Sequence, residues 1–247
     1  MCTPIVTIVI ATYNSGKTIR TALQSVADQT YQNWECLVVD GASNDGTIDI
    51  VKEFASNNER FKYISERDRG IYDAFNKGWK YAKGVWVYYL GSDDLIEMDG
   101  LEILMAEEDR SYAILNGYTR LVRLDGSTRI VKPNLPKFGI HQGMVMRREV
   151  MEEMGGFDEK YKIQSDYDLM VRIINAGYKM KVIDGVVGNF VIGGTSQSLK
   201  NLWVYFRERY DIDKKYKLIK HPFMEAIETI TRKGGSIIWS SIKKKFK

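Results

Sequence analysis

Asp93 and Asp94 stand side by side directly behind an apolar run, in "YYLGSDDLIE". Two like charges this close repel, and each is costly to bury without a partner. Either they form a polar turn with one of them capping the next helix, or a positively charged group sits between them and a ligand. Residues of similar character follow three other apolar runs. Thr12, Tyr13 and Asn14 come after the first, Asp40 ends the second ahead of "GASNDG", and Arg69 lies in "SERDRG" after the third. Singly, these read equally well as turn residues, caps and solvated charges. Four such groups at corresponding places are harder to obtain from turn chemistry alone.

The elements that must position them are legible. "IVTIVIA" from Ile5, "WECLVVD" from Trp34, "FKYIS" from Phe61 and "VWVYYL" from Val85 are short and rich in β-branched and aromatic residues. Their apolar character is continuous enough for strands covered on both faces. Between them lie helical patterns. The clearest spans 15–28, with Ile19, Ala22, Leu23, Val26 and Ala27 at helical spacing behind an Asn14/Ser15 cap. A second begins near Thr47 and a third spans 71–82. Strand–helix alternation predicts a parallel α/β sheet. In such sheets ligands bind beyond the carboxyl ends of the strands, where these polar residues fall, so the pattern itself supports nucleotide binding.

The second half has another rhythm. "YAILNGYTRLVRLDGSTRIVK" predicts two or three strands with a hairpin turn at Asp125-Gly126. A helix near 147–154, a "GGFDE" turn, a helix over 166–176 closed by Gly177, and strand-like runs near Tyr178 and Gly188 follow. The chain turns helical from Leu199. Trp79, Trp86 and Trp203 are expected in the core rather than as stacking platforms for a ligand.

The 247 residues are 44% hydrophobic, enough for one large core or a domain with an appendage. A net charge of +4 is too small to argue for nucleic acid. Cys2 and Cys36 have neither metal nor redox spacing, which suits a reducing compartment. No run approaches the roughly 20 apolar residues of a membrane span and no secretory leader is apparent, so a cytoplasmic protein is expected. The final "GGSIIWSSIKKKFK" places Ile238, Trp239, Ile242 and Phe246 on one helical face beside Lys243, Lys244, Lys245 and Lys247. It suits peripheral contact with an anionic membrane face, and equally a terminal helix packed on the domain.

Three blocks, "TIVIATYNSGKTIRTALQSVADQTYQNWECLVVDGASNDGT", "SERDRGIYDAFNKGWKYAKG" and "YYLGSDD", followed by the acidic "KIQSDYDLMVRIINAG", resemble the catalytic domain of glycosyltransferase family 2 over about residues 5–198. The resemblance implies an α/β GT-A fold, a Rossmann-like nucleotide-binding mixed sheet flanked by helices, with a helical C-terminal extension over 199–247. Residues 1–98 would form the nucleotide-sugar half and 99–198 the acceptor half. It implies inverting transfer from a nucleotide diphospho-sugar, a UDP-sugar, to a hydroxyl of a saccharide or lipid-linked acceptor in envelope or extracellular polysaccharide synthesis.

Residue by residue, Asp40 matches the carboxylate that meets the base. Thr12, Tyr13, Asn14, Arg69 and Asn76 fall among the nucleotide-sugar contacts. Asp93 and Asp94 match the metal-binding motif, Asp93 towards the ribose and Asp94 on Mn²⁺ or Mg²⁺. Such a cation would bridge the diphosphate and stabilise the leaving nucleotide. Asp166 matches the general base, with Asp168 in support, although Ser165 stands where many members carry Glu. The alternative for Asp166 is a first-turn residue favoured by the helix dipole. His141, in "IHQGMVMRREV", fits a recurrent segment and could touch acceptor or phosphate, or be structural. Gly193 and Gly194 in "VIGGTS" resemble a loop near the site. A sugar-phosphate nucleotidyltransferase would want a glycine-rich, basic phosphate loop after the first strand, which "ATYNSGKT" lacks. A non-catalytic nucleotide-sugar-binding protein has no need of the full carboxylate set Asp40, Asp93, Asp94 and Asp166.

Overall fold

The computed structural model describes residues 4–123, 125–133, 140–192 and 199–218. The four apolar runs form β1 (Val6–Thr12), β2 (Trp34–Asp40), β3 (Phe61–Ser65) and β4 (Trp86–Gly91). They pair in parallel in the order β3-β2-β1-β4. Every residue of β1 and β2 is buried, as continuous apolar strands covered on both faces must be. The intervening helices are α1 (Ile19–Ala27), α2 (Thr47–Asn57) and α3 (Ile71–Tyr81). α1 buries Ile19, Ala22, Leu23 and Val26, one stripe at helical spacing, and each large aliphatic contributes about 1.5–3 kcal/mol on burial. α3 comes closer to the sheet through Gly78, where a Cβ would lie only 2.2 Å from Val9 Cγ1.

The first helix starts later than its pattern suggests, at Ile19 behind Thr18, which makes no side-chain cap bond. Asn14 and Ser15 do not cap it. Their amides and the Asn14 side chain reach across to the loop after β2, and that commitment outweighs a local cap.

The second half extends the same sheet. It comprises β5 (Leu95–Ile96), α4 (Gly100–Ala106), β6 (Ile114–Val122), β7 (Thr128–Val131), a 3-10 turn (His141–Gly143), β8 (Met144–Arg147), α5 (Arg148–Glu153), α6 (Ser165–Asn175) and β9 (Met180–Val191). The sheet continues from β4 through β8, β6 and β9 to β5, with β7 paired on β6. Because β8 runs antiparallel to both β4 and β6, the sheet is mixed. The hairpin at Asp125-Gly126 is present: Gly126 takes φ +80° and Asp125 Oδ1 accepts the Ser127 amide at 3.0 Å. The runs near Tyr178 and Gly188 belong to one 12-residue strand, β9. Trp86 is fully buried and Trp79 nearly so, whereas Trp203 is 72% exposed and departs from the core expectation.

The chain divides into two compact units. One comprises Met1–Lys160 with Ser165–Ile192, the other Tyr161–Gln164 with Gly193–Lys247. The second contains α7 (Leu199–Lys215), and it claims four residues from ahead of α6 for a specific reason. Buried Glu208 accepts the amides of Lys162 at 2.7 Å, Ile163 at 2.9 Å and Gln164 at 3.1 Å. Among the described residues no helix is long and apolar enough to cross a membrane. Gly193, Gly194 and the basic end at 235–247 lie outside the described residues.

Candidate active site

The strand ends are level. Thr12 pairs in register with Asp40, Asp40 with Ser65, and Ala11 with Gly91. The polar residues that follow therefore share one rim. The loops after β1 and β2 are fastened together there. The Asn14 amide donates to Ser43 Oγ at 2.8 Å, and Asn14 Oδ1 accepts the Asn44 amide at 3.0 Å. Ser15 N–H reaches Thr47 Oγ1 at 2.8 Å, and Gly16 N–H reaches Asp45 Oδ2 at 3.0 Å. Asn14 at φ +49° and Ala42 at φ +63° occupy the left-handed region, a strained arrangement that such a fastening can hold. Asn14 is thus a builder of the rim.

Asp40 lies beneath that rim, fully buried. Its carboxylate accepts the Ser43 amide at 3.1 Å, the Ser43 hydroxyl and the Ser65 hydroxyl at 2.7 Å. A second carboxylate stands in the more open place. A Cβ added to Gly41 would lie 2.6 Å from Asp68 Oδ2 and 3.3 Å from Tyr13 Cδ2. The absent side chain therefore lets a half-buried carboxylate and an exposed tyrosine ring both close on the Gly41 backbone. Burial pushes the Asp68 carboxyl up, with the Gly70 amide and Lys77 opposing and the Asp73 and Asp40 charges adding to it. Asp68 lies in "SERDRG", one residue from the Arg69 singled out by its charge, and its place beside Gly41 shows only in the fold. Thr12 Oγ1 is buried and has no hydrogen-bond partner among the described residues.

Arg69 sits on the rim, 74% exposed, its guanidinium paired with Asp73 at 2.9 Å and Glu159 at 2.9 Å. Asn76, expected among the nucleotide-sugar contacts, is placed by the fold against the chain after α5. It is buried, with Nδ2 donating to Phe157 O at 2.9 Å and Oδ1 accepting the Phe157 amide at 2.9 Å and Trp79 Nε1 at 3.0 Å. A side-chain amide so committed brackets the chain after α5 and is not offered to a ligand.

The paired carboxylates point in different directions. Asp94 is 2% exposed. Its Oδ1 accepts the Val191 amide at 3.0 Å and its Oδ2 the Gln142 side-chain amide at 2.7 Å. Burial pushes its carboxyl up to about 6; the Asp93 charge adds to this while the Val191 amide, Gln142 and His141 oppose it. Asp93 is the exposed member. The expected division put Asp94 on the cation; here the Gln142 side chain and the Val191 amide hold Asp94 inside, and Asp93 is the carboxylate left on the surface.

Among the described residues no group of three or more His, Cys, Asp or Glu could hold a metal by itself. Mg²⁺-type sites commonly take one or two protein carboxylates and complete their shell with substrate phosphates and water. Asp93 offers such a hard oxygen donor. The turn beneath it depends on Gly91, where a Cβ would lie 3.1 Å from Asp93 Oδ1 and 2.5 Å from Asp94 Oδ2. The donor set fits Mn²⁺ or Mg²⁺ through Asp93.

Asp166 opens α6 with its carboxylate part-exposed. Oδ2 lies 3.0 Å from His141 Nδ1, while Oδ1 accepts the Tyr167 amide at 2.8 Å and the Tyr72 hydroxyl at 3.2 Å. Burial pushes this carboxyl up, but the bond and charge of His141, the Tyr167 amide and Tyr72 outweigh it and hold the group below its ordinary value. An aromatic cluster fixes these partners. Tyr72 stacks on Phe157 at 5.4 Å, Phe75 lies 4.6 Å from Tyr89, and Phe75 meets the His141 ring edge-on at 6.3 Å. Asp168, by contrast, is fully buried against Arg172 Nε at 2.7 Å. Tyr72 and Gln142 escaped notice because each depends on partners far away in sequence.

Residues 7–182 match the profile of the family described as Glycosyl transferase family 2. The chain is 30% identical over 209 residues to a PGL/p-HBAD biosynthesis glycosyltransferase of Mycobacterium bovis, covering 81% of this chain and 82% of that protein. It is 29% identical over 210 residues to a chondroitin synthase of Pasteurella multocida, covering 81% of this chain but 22% of that protein. The chain thus spans about a fifth of that relative's length. Among solved structures, S. aureus TarS superposes with a TM-score of 0.69 at 19% identity, over 93% of this chain and 73% of that one. A mannosyltransferase from Pyrobaculum calidifontis, in complex with GDP-Man and Mn²⁺, gives 0.67 at 20% identity over 96% and 71%.

Proposed function

The chain belongs to glycosyl transferase family 2 and has a GT-A fold, and we propose that it transfers a sugar, with inversion, from a UDP-sugar to a hydroxyl of a saccharide or lipid-linked acceptor. One observation carries this reading. His141 and Gln142 are consecutive residues of one 3-10 turn; the first holds Asp166 and the second holds Asp94. A candidate base and the carboxylate turn after β4 are therefore fixed to the same short segment.

In this mechanism Tyr13 and Asp68 receive the base across Gly41, and Arg69 exchanges its surface ion pairs for the donor's phosphates. Asp93 would hold Mn²⁺ or Mg²⁺, which supplies Lewis-acid stabilisation of charge on the leaving nucleotide. Asp166 takes the proton of the acceptor hydroxyl as that oxygen attacks the anomeric carbon from the face opposite the diphosphate. TarS has been solved with UDP and with UDP-GlcNAc, and the mannosyltransferase with GDP-Man, so a nucleotide diphospho-sugar donor is well supported as a class. The chondroitin synthase relative favours a polysaccharide acceptor, and the basic C-terminal end would bring the enzyme to a saccharide or lipid-linked acceptor at a membrane face.

Calorimetry with UDP-glucose, UDP-GlcNAc, UDP-glucuronate and GDP-mannose, each with and without Mn²⁺, tests the proposal through binding linkage. Metal-enhanced binding of at least one UDP-sugar is expected. Binding of none of them, or of GDP-mannose alone, would overturn the donor assignment.

A further inference from the structure

Asp166 receives three hydrogen bonds, and its two oxygens share them unequally. Oδ1 takes the Tyr167 amide and the Tyr72 hydroxyl, while Oδ2 takes only His141 Nδ1. A carboxylate oxygen has two in-plane lone pairs. Those of Oδ1 are both engaged, whereas Oδ2 keeps one. Since an ionised carboxylate only accepts, the proton of His141 must sit on Nδ1. Nε2 has no hydrogen-bond partner among the described residues.

His141 is itself held firmly. Tyr88 donates its hydroxyl to Gln142 O, Gln142 Nε2 is tied to Asp94, the Gly143 amide closes the turn on Ile140 O at 3.0 Å, and Phe75 meets the ring edge-on. A ring so fixed determines where the free lone pair of Oδ2 points.

We propose that the acceptor's proton is delivered to Asp166 Oδ2, and that His141 is the positioning residue whose Nδ1–H aims that oxygen. The inference rests on Asp166 being the base and assigns the atom it uses. In the step, the acceptor O–H bond breaks and an Oδ2–H bond forms. The acceptor oxygen bonds to the anomeric carbon, and the carbon–oxygen bond to the diphosphate breaks with its electron pair leaving on the diphosphate. His141 keeps its own proton throughout.

Substitutions at 141 separate the two ring nitrogens. Asn places an amide N–H near the position of Nδ1, whereas Gln reaches towards that of Nε2. The readouts are the ring ¹⁵N shifts of His141, the ¹³C titration of the Asp166 carboxyl, and turnover with saturating UDP-sugar from the donor panel. In the wild type the ¹⁵N shifts should report a protonated Nδ1. His141→Gln and His141→Ala should raise the Asp166 titration, because burial then acts with less opposition. The other groups facing the pair are Tyr72 from α3, the Tyr167 amide, and the Asp94 charge towards His141, and all of these stay in place. The acid limb of turnover should move to higher pH with the carboxyl, since only the ionised base accepts a proton. Turnover should fall by roughly 10²-fold, the order expected of a misaimed group, while donor KM stays within about twofold. His141→Asn restores the hydrogen bond without the charge, and should keep part of the lowering and most of the turnover.

An Asn variant as impaired as the Ala variant, or an Asp166 titration unmoved by Gln and Ala, would overturn the proposal. Asp166→Asn separates the two levels of the argument. Normal turnover in that variant sinks the base reading itself, whereas loss there combined with equal Asn and Ala variants at 141 sinks only the role of Nδ1.

Discussion

Gln142 Nε2 lies 2.7 Å from Asp94 Oδ2 in the interior, and that bond decides which of two adjacent carboxylates is available. With the Val191 amide on its other oxygen, Asp94 ties the turn after β4 to the segment entering β8 and to the end of β9. Asp93 is left outside. A buried carboxylate bonded by neutral donors keeps a desolvation cost that those donors only partly offset, so the arrangement sets the direction of the turn at some expense in stability.

Asp93→Asn should therefore abolish the enhancement of UDP binding by Mn²⁺, lowering affinity at saturating metal by about tenfold or more, as expected when one of very few protein ligands is lost. Asp94→Asn should retain the enhancement. Calorimetric titration of UDP across an Mn²⁺ series checks both. The opposite pattern would return the cation to Asp94.

Asp94 also predicts a pH dependence of stability. Its folded-state value near 6 lies above the ordinary 3.8. The stability this confers is complete below about pH 4 and is lost as pH rises through 6. Asn in its place can pair with Gln142 if that amide rotates, bringing its buried and unpartnered Oε1 to face the new donor. In chelator, Asp94→Asn should match the wild type at pH 4 and exceed it at pH 8 by up to about 3 kcal/mol, two units at 1.36 kcal/mol each. Denaturant unfolding at the two pH values measures this, and a variant weaker at pH 8 would refute it.

The rim yields a separate prediction. Asp40→Asn leaves Ser43 and Ser65 poorly matched in a buried place, and should cost about 1–3 kcal/mol of stability. Asp68→Asn should leave stability nearly unchanged and weaken metal-free uridine binding by roughly 10-fold, the worth of a hydrogen bond to a charged group. Thermal denaturation and uridine calorimetry on both variants distinguish the roles. Loss of uridine binding in a fully stable Asp40 variant would restore Asp40 as the base contact.

What the sequence made legible follows from the range over which its signals act. β1, β2 and β4 are continuous apolar runs, and their polar successors had to fall at one end of a parallel sheet, so the rim could be read directly. Asp166 was legible as a carboxylate at a helix start. Its clamp was not, because Tyr72 is 94 residues away and His141 is 25. The partners that occupy Asn76 are hidden for the same reason, Phe157 lying 81 residues on. Which of the identical neighbours Asp93 and Asp94 faces inward is not legible either, because local pattern carries no information about that. β8 escaped because its four residues run straight into α5, too short a stretch for alternation to show.

The base itself is tested by Asp166→Asn, which keeps size and most hydrogen bonding but removes proton-accepting power. Donor and metal affinity should remain near wild type, because Tyr13, Asp68 and Asp93 lie on the rim formed by β1 to β4. Turnover should fall by roughly 10²–10⁴-fold, the usual worth of a positioned general base, with donor KM little changed because the interaction matters mainly in the transition state. Asp168→Asn should behave differently. It breaks the pair between a fully buried carboxylate and Arg172, whose guanidinium also donates to Met154 O and to Gly156 O, so its cost should fall on folding, about 3–5 kcal/mol. Turnover per folded molecule should survive. Near-normal transfer by Asp166→Asn beside a folded but inactive Asp168→Asn would place the base two residues further along α6, where only a rearranged Arg172 could expose it.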